Sequence, residues 1–174
     1  MKHVQFRAPG LVVAAIGLAL AWAVLASPLT PAADAGVPRA KLERGLATPP
    51  ASAPKRVKRA IRAANRIAKG RSYCYGGGHG SWYSPCYDCS GAVSFAMGER
   101  GARALRAPRP SGGFMRWRAR GKGRWITVYA NRGHAYVVIA GLRFDTSMTP
   151  GAGPGWSREH RSGKGFRKRH PKNL

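Results

Sequence analysis

The sequence predicts an α+β domain, because two helical segments come first and a run of strands follows. Three observations carry this. Residues 55–69 repeat apolar side chains at three- and four-residue intervals; residues 88–100 form a small, apolar segment opened by a capping residue; and residues 125–146 hold three strand-like runs separated by turn residues. No internal repeat divides this unit, and residues 55–174 are enough for one ordinary core.

The chain of 174 residues begins with Lys2 and Arg7 and continues into an uncharged apolar run, residues 11–25. Small residues follow, so residues 1–26 read as a signal peptide cleaved after Ala26, or further on near Ala33 or Ala35. The rival reading is an uncleaved membrane anchor over residues 8–26, close to the roughly 20 residues that a membrane helix needs. Either one places the rest of the chain outside the cytoplasm, in the cell envelope or beyond it. Residues 27–54 contain Pro28, Pro31, Pro38, Pro49, Pro50 and Pro54, many alanines and no aromatic residue. Such a stretch buries too little apolar surface to fold by itself and is expected to be a disordered linker.

In residues 55–69, Val57, Ala60, Ile61, Ala64, Ile67 and Ala68 form one apolar stripe of a helix, and Gly70 is placed to stop it. A Gly- and Tyr-rich loop fills residues 71–87. A second helix is expected over residues 88–100, with Asp88 as its N-cap and Gly101 at its end. An Arg/Pro-rich connection leads to a short helix near residues 113–118, and strands follow at 125–130, 135–140 and 142–146. The middle strand is apolar on both faces, as in a strand covered from both sides. From residue 151 the chain reads as a basic, Gly-rich tail that only Trp156 and Phe166 are suited to dock.

The net charge is +25, from 31 Lys and Arg against six acids, and it concentrates in residues 55–71, 100–124 and 158–172. One reading is a solvated surface. The other is retention on a polyanion, and for an exported chain the nearest are anionic wall polymers, peptidoglycan carboxylates and the membrane surface. No helix-turn-helix, zinc-finger or single-strand-binding signature is present, so nucleic acid is not the expected partner.

Three cysteines, Cys74, Cys86 and Cys89, cannot all pair internally. The simplest partition bridges Cys74 to Cys86 and leaves Cys89 free, with the bridge contributing up to about 3 kcal/mol. A Cys86-x-x-Cys89 redox pair and a zinc site of the three cysteines with His79 compete with it. The first lacks a thioredoxin-like βαβ context, and the second matches no common finger spacing, so no metal or other cofactor is expected. Cys89 lies at the expected start of the second helix, where unpaired N–H groups and the helix dipole favour a thiolate and can face an oxyanion. His134 stands at the entry of the buried strand, on a rigid element that suits a general base. If the chain folds back at Gly141 so that Ile139 faces Leu142, His134 lies opposite Ser147 and diagonal to Asp145. A carboxylate there can orient the imidazole and stabilise its cation, as the third member of a triad does.

These residues resemble the NlpC-type cell-wall cysteine peptidases, a papain-like group. The matching pieces are Tyr73-Cys74-Tyr75-Gly76-Gly77, Asp88-Cys89-Ser90-Gly91-Ala92-Val93, Gly133-His134 with its apolar strand, and Phe144-Asp145-Thr146-Ser147. The resemblance covers residues 57–147. It implies N-terminal helices packed on an antiparallel sheet, with Cys89 as nucleophile and His134 as base. It further implies that Tyr73 helps bind the substrate or its oxyanion, and that Asp88 and Ser90 line the site near the substrate's amino end. The implied reaction is hydrolysis of amide bonds in peptidoglycan stem peptides, typically the D-γ-glutamyl to diamino-acid link. The chain departs from the pattern at three places. Asp145 stands where His, Asn or Gln is commoner, Tyr75 stands where Trp is usual, and Cys74 and Cys86 lie outside the pattern. Two other functions stay open on the sequence: a catalytically idle basic wall- or polyanion-binding protein, and an amidase or deacylase using the same groups.

Overall fold

The computed structural model describes residues 1, 36–147 and 152–174. The expected signal segment or anchor, Met1 aside, and residues 27–35 of the expected linker lie outside the described residues. No helix among the described residues is long and apolar enough to cross a membrane. Two units divide the chain, Met1–Ala33 and Asp34–Leu174. All helices and strands among the described residues belong to the second.

That unit runs β1 (Lys41–Glu43), β2 (Leu46–Thr48), α1 (Lys55–Ile67), α2 (Cys89–Met97), α3 (Ser111–Phe114), β3 (Ala119–Arg120), β4 (Ile126–Ala130), β5 (Ala135–Ile139), β6 (Leu142–Asp145), β7 (Gly155–Ser157) and β8 (Arg167–His170). β1 and β2 form a separate hairpin; the other six strands make one sheet in the order β3-β8-β4-β5-β6-β7. Every pairing between these strands is antiparallel. The α+β class follows, with helices on an antiparallel sheet.

α1 buries Val57, Ala60, Ile61, Ala63, Ala64 and Ile67, the stripe read from the sequence with Ala63 added and with Ala68, now the C-cap, only half-buried. All nine residues of α2 are buried. A helix without a polar face has to sit inside the molecule, and α2 packs between α1 and strands β5 and β6. Side chains such as Ile61, Val93 and Ile139 are no more than 1% exposed, each contributing about 1.5–3 kcal/mol relative to exposure. α2 ends at Met97, three residues before the expected end, where Gly98 turns extended and the Trp82 ring lies over its Cα.

The β5–β6 hairpin turns at Ala140 and Gly141, both with positive φ, 45° and 79°. That is the two-residue turn whose twist suits a tight hairpin, and the glycine accepts it without strain. It sets Ile139 opposite Leu142 and Val137 opposite Phe144, the register assumed above.

Gly91, in the first turn of α2, meets the loop that follows α1. A methyl at this position would collide with the Gly77 carbonyl oxygen, which already accepts from the Asp88 amide at 3.1 Å. Gly91→Ala is therefore expected to force the loop off the helix and cost about 3 kcal/mol. A thermal melt followed by circular dichroism should show Tm lower by about 10 °C; an unchanged Tm would contradict the close approach.

Two expectations need correction. Residues 36–54 are not a disordered spacer: they hold the β1–β2 hairpin, and Ala40, Ala47 and Ala53 are buried. The segment lacks a core of its own and borrows one. Asn65 of α1 clamps Ala47 through both its amide and its carbonyl, and the Ala40 amide donates to the Ala140 carbonyl. Nor is the region from residue 151 a loose tail. It supplies β7 and β8, and β8 is inserted between β3 and β4. Trp156 anchors it by packing on Phe144, ring centroids 4.8 Å apart, and by donating to Asn65 at 2.8 Å.

Candidate active site

Three elements meet at the site: the start of α2, the entry of β5 and the end of β6. Asp88 caps α2 by accepting the Gly91 amide at 2.7 Å. The N–H groups of Cys89 and Ser90 ahead of it have no protein acceptor among the described residues. They are the orphan donors of a helix N-terminus, positioned where the Cys89 side chain begins. Cys74 and Cys86 are bridged, with Cα atoms 5.6 Å apart, and Cys89 is the free cysteine, 8% exposed. The bridge ties down the loop that carries Gly76, whose amide donates to Asp88 at 3.2 Å. The disulfide thus braces the cap of the helix on which Cys89 stands.

His134 enters β5 through a turn in which its amide and that of Gly133 both donate to the Asn131 side chain, at 2.8 and 3.0 Å. Its Nε2 donates to Asp145 Oδ1 at 2.8 Å. Cys89 is near enough to the ring to favour its protonated form; with Nε2 committed to Asp145, Nδ1 is the nitrogen left free to take the thiol proton. Asp145 thus holds one side of the His134 ring, and Cys89 is its neighbour.

Asp145 is buried, yet donors surround it. Oδ1 accepts from the Thr146 and Ser147 amides at 2.7 and 3.2 Å as well as from His134. Oδ2 accepts from Ser147 Oγ at 3.0 Å and from Arg161 Nη1 at 3.5 Å, and Arg143 Nε lies 3.8 Å away. Burial works against its charge, but the hydrogen bond and charge of His134, with Ser147 and Thr146, hold its carboxyl below the ordinary carboxylate range. For His134 burial disfavours the cation, and the bonds and charges of Asp145 and Cys89 outweigh it, so its pKa rises from 6.5 to about 9.

This shift makes stability depend on pH. A group whose folded pKa is raised stabilises fully below its unfolded value, and the contribution is lost as pH climbs through the folded one. The Tm is therefore expected to fall between pH 6.5 and about 9. The loss is at most about 3 kcal/mol at 1.36 kcal/mol per unit, and smaller for a partly solvated ring. Melts of the wild type and of His134→Gln over this range check it: the decline should vanish in the variant.

A cleft of about 320 Å3 opens above the sulfur, lined by Tyr73, Tyr75, His79, Asp88, Cys89 and Ser90 on one side and by residues 110–112, Arg132 and Gly133 on the other. Tyr73 is 42% exposed. Burial, then the neighbouring Cys89 and Asp88, raises its pKa, so its phenol stays an O–H donor. Asp88 and Ser90 also line the cleft, but their polar atoms are engaged among themselves. Ser90 Oγ donates to Asp88 Oδ1 at 3.2 Å, and His79 Nε2 lies 3.0 Å from the Asp88 carboxylate and from Ser90 Oγ.

Two residues of this site were not assigned to it from the sequence. His79, in the loop expected over residues 71–87 and weighed there only as a zinc ligand, completes the Asp88–Ser90 cluster. Arg161, in what read as a tail, bonds Asp145 and Ser147 and lies over the rings of Tyr136 and Phe166, 5.5 and 5.3 Å from their centroids. Nothing local in the sequence marks it, because β7 and β8 have to join the sheet before Arg161 comes near Asp145.

Among the described residues no cluster of His, Cys, Asp and Glu is arranged to hold a metal ion. The geometry suits nucleophilic attack by sulfur, with a general acid–base beside it and hydrogen-bond donors at the helix start.

No family model matches the sequence, and no curated protein matches it. Solved structures do. The peptidoglycan hydrolase RipB from Mycobacterium tuberculosis aligns with a TM-score of 0.50 at 24% identity, over 70% of this chain and 68% of its own. A domain of the antigen MAP1204 from M. avium subspecies paratuberculosis aligns with a TM-score of 0.46 at 16% identity, over 66% of this chain and 94% of its own. The chain has the fold of RipB, the α+β arrangement that its resemblance to the NlpC-type peptidases implies.

Proposed function

We propose that this chain is an exported cysteine hydrolase that cleaves amide bonds in peptidoglycan stem peptides, at the D-γ-glutamyl to diamino-acid link. The observation that carries the reading is the 2.8 Å bond between His134 and Asp145 beside the free Cys89, which lines an open cleft. The choice of substrate rests on the motif resemblance and on a fold shared with a peptidoglycan hydrolase.

The Cys89 sulfur, its proton passed to His134 Nδ1, attacks the carbonyl carbon and makes a C–S bond. The carbonyl oxygen becomes an oxyanion that faces the Cys89 N–H and the Tyr73 phenol. As the tetrahedral species collapses the C–N bond breaks, and His134 gives its proton to the leaving amine. A water, deprotonated by the same imidazole, then attacks the thioester, and release of the carboxylic acid restores the thiol. Asp145 keeps the ring in the tautomer that presents Nδ1 to sulfur.

Incubating the chain with purified peptidoglycan and with a synthetic L-alanyl-γ-D-glutamyl-diaminopimelate peptide tests this directly. Mass spectrometry should show cleavage after the glutamyl residue. Release of the L-alanine link, or of an acyl group from an amino sugar, would move the activity to an amidase or deacylase class. Intact substrates together with a Cys89 that iodoacetamide leaves unlabelled at neutral pH would favour the catalytically idle binding protein.

A further inference from the structure

A hollow of about 560 Å3 is lined by Arg116, Arg120, Arg167, Lys168 and Arg169, with Phe166 and Met115 between them. Nothing in the reaction above uses it. Among the described residues every ion pair involves Asp88 or Asp145, and neither lines this groove. Five cations thus share one concavity without a carboxylate.

The strand register makes the crowding specific. β3 and β8 pair so that Arg120 stands directly opposite Arg169. Like charges in that position repel, and a sheet carries them at a cost in stability. Arg167 lies two residues before Arg169 on the same face of β8, so cations recur about every 7 Å along the strand. Arg169 is held in place, its Nε donating to the Met115 carbonyl at 2.7 Å. An anionic chain lying along β8 would relieve the repulsion and meet donors already fixed in direction.

The groove also adjoins the catalytic site. α3 separates the two, with Ser111 and Gly112 facing the cleft and Met115 and Arg116 the groove. Phe166 lines the groove and sets its ring edge-on to His134, centroids 6.3 Å apart. That ring also meets Tyr136 edge-to-face and has Arg161 over it, which leaves it less room to stack on a base.

We propose that the β3–β8 groove binds a linear polyanion without bases, a chain carrying phosphate or carboxylate groups at regular intervals, and holds it beside the cleft. The proposal goes beyond the hydrolase reading and stands without it. Binding is measured on the full chain at low and moderate salt, with inorganic polyphosphate and with polygalacturonate as probes; the tighter of the two identifies the anion. One variant combines Arg116→Gln, Arg120→Gln and Arg167→Gln, all exposed. A charge-matched control combines Lys55→Gln, Arg62→Gln and Arg66→Gln, exposed on α1.

The groove variant is expected to bind the better probe at least tenfold more weakly, with a log–log salt slope flatter by about 2. The α1 variant should stay within twofold of wild type. Equal losses in both variants, or no loss in the groove variant, would overturn the proposal in favour of diffuse attraction by net charge. Tighter groove-dependent binding of an equally charged oligothymidylate, or of phosphatidylglycerol vesicles, would overturn it in favour of nucleic acid or membrane.

Discussion

Cys89→Ala is expected to lower hydrolysis of wall peptides by at least about 10,000-fold, because its thiol is the nucleophile that forms the acyl bond. Removing one member of a nucleophile–base pair removes covalent catalysis as a whole, and what remains is binding and the helix-start donors. The fold should survive: Cys89 is free of the disulfide, and alanine suits both the helix and its small, buried position. The check has two arms. Product release from peptidoglycan is followed by mass spectrometry, and the melt of the same sample should stay near wild type. Cys89→Ser tests the chemistry more narrowly. A serine keeps the shape but ionises far less readily than a thiol, so it too should be inactive. Substantial turnover by either variant would remove the sulfur from the mechanism, and a wild-type Tm in the inactive variant would show that the loss is chemical.

The helix start at Cys89 and the His134–Asp145 contact were legible in the sequence because their signals are local, whereas bringing Cys89 to His134 depends on packing α2 against β5. Asp88 before Cys89 signals a helix start. The Ala140-Gly141 turn fixes the β5–β6 register, and that register places Asp145 diagonal to His134. Wherever position depends on distant partners, the sequence was silent or misleading. The Pro/Ala-rich residues 36–54 look unable to fold, and alone they would be. Asn65 and the sheet lend them the partners they lack. The basic C-terminal region looks like a solvated tail because β8 alternates no apolar residues. Its ladder bonds come from β3 and β4, separated from it by about 40 residues or more. Arg161 arrives at Asp145 only as a consequence of that insertion. The departure at the third polar position becomes intelligible from the same contact. A buried aspartate in place of a neutral residue calls for countercharge, and Arg161 and Arg143 supply it beyond His134.

Asp145→Asn should therefore do more than loosen a ring. The amide can still hold the imidazole, yet it takes away the charge that keeps His134 protonated and leaves Arg143 and Arg161 beside it unopposed. The alkaline limb of kcat, expected near pH 9 in the wild type if His134 sets it, should move down, because the largest raising cause is removed while burial and the two guanidinium groups still disfavour the cation. The maximal kcat should drop by about 100- to 10,000-fold with little change in KM, as for a group that acts through its neighbour in the transition state. Arg161→Gln should shift the limb in the opposite direction. Without that cation the attraction of Asp145 for the imidazolium is less diluted, so the limb rises above the wild-type position while kcat changes only severalfold. A profile of kcat and KM from pH 5 to 10 on the wild type and both variants reads out the two signs together. If both substitutions displaced the limb the same way, or neither moved it, the electrostatic role of Asp145 would give way to a purely steric one. Opposite displacements are what a charged carboxylate poised between an imidazolium and two guanidinium groups has to produce.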